Sequence, residues 1–233
     1  MLYYYGIDWT YVVLVLPVMI LAMIAQANVS STFTKYSKVR LFHSVTGSEA
    51  ARMILDRNGL YHVRIEHISG DLTDHFDPKT NVLRLSDPVH DATTAAAVGV
   101  AAHEAGHAIQ YAEGYTPMRI RAAIIPACNF GSKLAIPLFI IGLLLSIPAL
   151  SYAGIAFFSL AAVFQAVTLP VEYNASNRAL RALEEARRFN EEELKASKKV
   201  LNAAALTYVA ALATSLVQIL RLLIIAGNSR RRD

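Results

Sequence analysis

Cysteine is nearly absent from this chain: Cys128 stands alone among 233 residues. One thiol cannot close an intrachain disulfide, and it cannot build a thiolate zinc cluster, which takes two to four cysteines. Cys128 follows Pro126 by two residues with no second cysteine to meet, which reads as a buried, inert thiol and leaves the redox compartment undecided. Charge is scarce as well, at 17% of residues against about 25% in ordinary soluble domains, while 55% are hydrophobic. No Lys, Arg, Asp or Glu intervenes between Lys133 and Glu172. That gap excludes an ordinary water-facing surface and makes lipid part of the solvent. The net charge of +4 could suggest nucleic acid. The chain has no basic-aromatic module, however, and its basic residues fall in short runs beside apolar stretches. No nucleic-acid partner is expected; anionic headgroups and membrane orientation fit the placement better. Internal repeats and low-complexity segments are also lacking.

What the chain does have is four apolar segments. Residues 9–27 carry no charge over nearly the ~20 residues that span a bilayer, and without a basic leader they read as an anchor rather than a cleaved signal. Trp9 and Tyr11 would sit at the interface. Residues 134–169 are too long for one span and read as a membrane hairpin turning near Ile147-Pro148-Ala149-Leu150-Ser151, with Pro137 able to kink its first arm. Residues 203–227 contain Gln218 and Arg221; they could cross, or lie against the other helices with Arg221 snorkelling. The expectation is one mainly α integral membrane domain over 1–233, with three to four transmembrane helices and a small α+β region that includes a short β-hairpin.

That region is residues 28–133. Ser48–Asn58 has helical spacing, with Gly59 as a stop. Tyr61–Ile68 alternates like a strand, and so does Val82–Ser86 after the turn composition Asp77-Pro78-Lys79-Thr80-Asn81. The Val82–Ser86 strand could offer an edge to an extended peptide or could simply pack. From Asp91 or Thr94 to about Ala112 the Ala-rich composition predicts a helix, in which Gly99 and Gly106 leave room for close packing. Asn177–Lys199 reads as one charged, solvated helix.

His103-Glu104-Ala105-Gly106-His107 lies inside the Ala-rich helix. Four residues turn an α-helix by about 400°, so both imidazoles leave one face a turn apart and can share one metal ion. Glu104 flanks that face, placed to reach a water on the metal rather than the metal itself, as in zinc peptidases. Such a short pattern is only a hypothesis until its context agrees. Here the flanks Val98–Ala102 and Ala108-Ile109 are small and apolar, where two histidines and a glutamate would be costly unpaired. Zinc, one per chain, is the cofactor this predicts. A carboxylate-bridged di-iron site would need paired Glu-x-x-His motifs, and none is present.

A catalytic zinc usually has three protein ligands. Glu113 faces about a third of a turn away from His107, and Glu184, Glu185 and Glu191–Glu193 lie in a strongly charged, solvated stretch. Glu172 is the first charge after the apolar hairpin, just beyond Pro170. A hairpin that leaves and re-enters the membrane returns Glu172 to the side of the His103–His107 helix, so it is the expected third ligand. The alternative is an acid complementing a helix N-terminus.

At these residues the chain resembles the YugP family of membrane-bound neutral zinc metallopeptidases, and more distantly the HtpX-type membrane peptidases. The resemblance covers most of the chain. It is carried by Leu72–Pro78, Leu83–Ser86, Val100–Gln110 and Thr168–Ser176. The last block matches the family's third-ligand motif, which implies Glu172. Asn174 stands where many relatives are expected to have Asp, and Ser176 where the HtpX-type pattern places Asp, so a carboxylate behind a ligand histidine is missing or supplied elsewhere.

The implied activity is endoproteolysis of membrane or membrane-proximal proteins, with Glu104 as proton acceptor and donor and His75, Tyr173 or Arg178 as candidates to stabilise the oxyanion. A zinc-binding membrane scaffold without turnover is the alternative. Residues 28–133 hold eleven Lys and Arg and residues 171–202 seven, whereas Met1–Asp8 hold none. That distribution places the site on the cytoplasmic side of the cell membrane. Arg230-Arg231-Arg232 disagrees if the fourth segment crosses. Substrate identity and oligomeric state are not encoded legibly.

Overall fold

A computed structural model describes the backbone of residues 3–4 and 7–229 and the side chains of 9–228. Met1–Asp8 and Arg230–Arg232, which enter the orientation argument, thus lie wholly or in their side chains outside the described residues. A two-residue ribbon, β1 (Tyr3–Tyr4) and β2 (Ile7–Asp8), and a π-helical turn at Tyr11–Val15 precede α1 (Leu16–Tyr36). Then come α2 (Gly47–Arg57), β3 (Arg64–Ile68), β4 (His75–Asp77), β5 (Val82–Ser86), α3 (Asp87–His90), α4 (Ala95–Ala112), α5 (Thr116–Leu144), α6 (Pro148–Glu185) and α7 (Glu191–Ser229). The molecule is mainly α with a small α+β part, and among the described residues four helical stretches are long and apolar enough to cross a membrane: Tyr11–Tyr36, Thr116–Leu144, Pro148–Glu185 and Glu191–Asn228.

The chain divides into two compact units. One comprises residues 1–25, 120–169 and 207–233; the other comprises 26–119 and 170–206. In the first unit, α5 and α6 approach closely at small residues. A Cβ on Gly154 would lie 2.6 Å from the Ala135 carbonyl oxygen, and one on Gly142 would collide with Ser151. Small residues let helix backbones meet in this way where lipid offers no hydrophobic drive for association. The turn occupies Leu145–Ile147, sharing only Ile147 with the expected Ile147–Ser151, because Pro148 starts α6 at a position where its missing N–H costs nothing. Helix outlasts hydrophobicity elsewhere: α1 continues to Tyr36 and α5 begins at Thr116.

The second unit is built around α4, whose small residues Ala95–Val98, Ala101, Ala102, Ala105 and Ala108 are buried. Leu55, Ile54, Leu83, Leu85 and Leu183 complete the core. Thr46 caps α2 with a reciprocal pair of hydrogen bonds: its hydroxyl accepts from Glu49 N–H at 3.1 Å while Glu49 accepts from Thr46 N–H at 2.9 Å. Gly59, at φ +72°, follows the α2 C-terminus where an L side chain would be strained.

The sheet order is β3-β5-β4, with β3 and β5 parallel and β4 and β5 antiparallel. Two expectations are corrected here. Val82–Ser86 is the central strand, paired on both sides, and therefore offers no edge to a peptide; four of its five residues are buried rather than alternating. The hairpin partner is the three-residue β4, too short to show a period of two. The Asn177–Lys199 stretch is not one helix but the end of α6 and the start of α7. Arg187 turns with φ +52°, and Asn190 caps α7 by exchanging hydrogen bonds with Glu193. Glu193 is also buried rather than solvated, accepting the Phe42 N–H at 2.8 Å.

Candidate metal centre

The geometry of the cluster follows from a backbone contact between two helices of the second unit. At Gly106, the residue before His107 in the His103–His107 turn, an added Cβ would stand only 2.6 Å from the Ala175 carbonyl oxygen. With no side chain there, α6 lies directly against α4, and Glu172, on the turn of α6 before Ala175, comes alongside both imidazoles. His103 Nε2 is 3.1 Å and His107 Nε2 3.5 Å from the same carboxylate oxygen, Glu172 Oε2. The side chains are largely shielded, with 15%, 11% and 4% exposure for His103, His107 and Glu172.

These residues suit a zinc ion. Bonds of about 2.0–2.2 Å at tetrahedral angles set neighbouring ligand atoms about 3.3–3.6 Å apart. The His107 separation of 3.5 Å falls within that spacing and the His103 separation of 3.1 Å just short of it, and the three donor atoms lie within 4.8 Å of one another. Two imidazoles and one carboxylate are a common catalytic donor set for zinc. For His107, burial pushes the pKa down as the largest single effect. The Glu172 hydrogen bond, the charges of Glu104 and Glu172 and the Gln110 hydrogen bond together outweigh it and leave the ring above its ordinary value.

Glu104 lies on α4 beside this cluster, and its Oε2 accepts the Phe76 N–H of β4 at 3.0 Å. Phe76 is paired with Leu83 between two flanking pairs, and its N–H points outward from the sheet to reach Glu104. β4 is in turn fixed by Asp74, which accepts both the N–H and the hydroxyl of Ser86 at 2.8 Å. Nothing in the local sequence marks β4 as a neighbour of α4 or Asp74 as a partner of Ser86.

The far nitrogens of the histidines meet uncharged groups. His103 Nδ1 is 3.1 Å from Ser176 Oγ, and His107 Nδ1 is 3.0 Å from Gln110 Oε1. Gln110 is fully buried, and its amide nitrogen donates to Val171 O at 2.8 Å and Asn174 Oδ1 at 2.9 Å. Asn174 touches neither histidine in these contacts; its Oδ1 also accepts from Arg178 Nε at 2.7 Å. Sequence reasoning missed Gln110, although its place three residues after His107 on the same helix face was a usable signal.

Glu113 lies just beyond α4 and pairs with Arg178 at 2.7 Å, so Arg178 is engaged on two sides. His75 alternates with Phe76 along β4 and shares the opposite sheet face with Arg84, whose Nη1 is 3.4 Å from its Nε2. Tyr173 is exposed on α6 next to Glu172.

Comparison with known proteins places a match to the family described as "Putative neutral zinc metallopeptidase" over residues 11–227. The chain is also 48% identical over 206 residues to "Putative membrane protease YugP" of Bacillus subtilis (strain 168), covering 88% of this chain and 92% of that one. No solved structure matches.

Proposed function

Because the chain belongs to the family described as "Putative neutral zinc metallopeptidase", we propose that it is a membrane-embedded zinc endopeptidase that cleaves membrane or membrane-proximal proteins. The observation that carries this reading is the convergence of His103, His107 and Glu172 on one small volume, with Glu104 beside it and held by a strand. His103, His107 and Glu172 would hold one zinc per chain, which would supply the Lewis acidity to polarise a scissile carbonyl and to make water nucleophilic at neutral pH.

Glu104 takes a proton from the attacking water and passes it to the leaving amine as the C–N bond breaks. Its Oε2 is oriented by the Phe76 N–H, which leaves Oε1 to face the water. β4 is an edge strand of the sheet, and the outward N–H of Phe76 in its middle is taken by Glu104. With His75 beside Arg84 and Arg178 bound to Asn174 and Glu113, we assign the oxyanion to Tyr173, next to Glu172 on α6. The count of Lys and Arg supports a cytoplasmic site.

Glu104→Gln tests the reading. It keeps shape and zinc but removes the proton acceptor, so cleavage of a membrane-protein substrate should fall by about 10²–10⁴-fold with zinc content unchanged. Retained cleavage would remove Glu104 from its role. Zinc uptake and melting on chelation, with no cleavage by the wild-type chain, would favour the alternative of a zinc-binding scaffold.

A further inference from the structure

One hydrogen-bond chain runs from a surface ion pair to the metal cluster, and each link has a forced polarity. Arg178 can only donate, so its 2.7 Å contact fixes the oxygen of Asn174, not its nitrogen, on the inner side. That oxygen accepts, so the group facing it at 2.9 Å must be the NH₂ of Gln110. The second NH₂ hydrogen goes to the Val171 carbonyl, again an acceptor only. Gln110 Oε1 is then left facing His107, and a carbonyl oxygen accepts, so His107 carries a proton on Nδ1. Its Nε2, the nitrogen nearest Glu172, keeps a lone pair free for metal when the ring is neutral.

Position 110 needs an acceptor and two donors on one side chain of this length. Carboxylates only accept, Lys and Arg only donate, and Ser or Thr cannot make all three contacts. Val171 and Asn174 lie on either side of Glu172 in sequence. The same amide that orients His107 therefore clamps the turn of α6 that carries the carboxylate. Glu113 balances the charge of Arg178 from outside, which lets the inner member of the chain be the neutral Asn174.

We propose that Gln110 is the positioning residue of the metal centre, setting both the tautomer of His107 and the spacing of Glu172 from the α4 imidazoles, under the direction of Arg178 through Asn174. The inference rests on the zinc reading above.

The test uses the full chain in detergent, with zinc affinity measured by chelator competition and the His107 Nδ1 proton observed by ¹⁵N NMR of the zinc-loaded protein. Gln110→Leu should weaken zinc binding by about 10- to 100-fold and abolish the protected Nδ1 proton. Asn174→Ala, which spares the direct contact to His107, should give a smaller loss of the same kind and is decisive if Gln110→Leu does not fold. Unchanged affinity and an unchanged Nδ1 signal in a folded variant overturn the proposal. A wild-type chain that takes up no zinc overturns the parent reading, and this one with it.

Discussion

Replacing Gly106 by alanine would set a methyl carbon 2.6 Å from the Ala175 carbonyl oxygen and 3.2 Å from its carbon. Carbon-to-carbonyl-oxygen contacts in proteins close to about 3.3–3.6 Å, so α4 and α6 must separate locally by roughly 0.7 Å. Neither partner can yield by a rotamer change, because the opposing atoms are backbone. For stability, alanine gains about 1 kcal/mol of helix propensity over glycine, while overpacking costs about 1–3 kcal/mol. The net destabilisation is then roughly 0–2 kcal/mol, small enough to leave a folded chain.

The larger effect falls on the cluster. A 0.7 Å retreat of α6, roughly the figure above, carries Glu172 away from both histidines, whose separations from it are now 3.1 and 3.5 Å. A functional constellation tolerates about 0.5 Å. Zinc affinity should therefore fall by at least about 10-fold, as when an outer hydrogen bond to a ligand is lost. Chelator competition on purified protein reads this directly. Gly99→Ala is the contrast, since its methyl would meet Ser197 on α7, at 3.2 Å from Cβ, rather than the α6 backbone. It should leave zinc affinity unchanged. Gly106→Ala binding zinc within about threefold of the wild type would refute the idea that this contact sets the site, since about 10-fold is the loss it requires.

Further expectations follow from other parts of the fold. Glu172→Gln, which removes the carboxylate charge shared by the two imidazoles, should lose zinc in metal analysis while α-helical circular dichroism stays; full zinc retention would dismiss Glu172 as a ligand. The metal-free protein should be destabilised as pH rises. His107 is raised in the fold above its ordinary 6.5, so its contribution is complete below that value and disappears as pH climbs through the higher folded value. A chelated chain whose melting temperature holds steady or increases across that window would contradict it. Thr46→Ala, which breaks the α2 cap, should cost about 1 kcal/mol without affecting zinc; coupled loss of zinc would mean that the second unit is less modular than its packing implies.

Some of this protein was legible residue by residue. Apolar runs named the membrane-spanning candidates, because burial in lipid depends on composition over about 20 consecutive residues. His103 and His107 shared a face by helical arithmetic alone, and the close-packing role of Gly106 followed from its size. Glu172 was singled out as the first charge after the apolar hairpin, and it lies beside both imidazoles. The ends of helices were less legible, since polar residues such as Lys35 continue a helix as readily as apolar ones.

Tertiary structure decided the rest. β4 has three residues and exists because Asp74 ties the segment to Ser86 and Phe76 meets Glu104, contacts that span 12 and 28 positions. Glu193 looked solvated in a run of three glutamates, yet it lies under Phe42, 151 positions away. The partners of the histidines are split in the same manner: Gln110 sits three residues from His107, but Ser176 is 73 from His103. Periodicity reports which residues share a face of one element. Which face meets which is set by packing of the whole unit: the sequence alone determined that His103 and His107 share a face of one helix, while the fold decided what surrounds them.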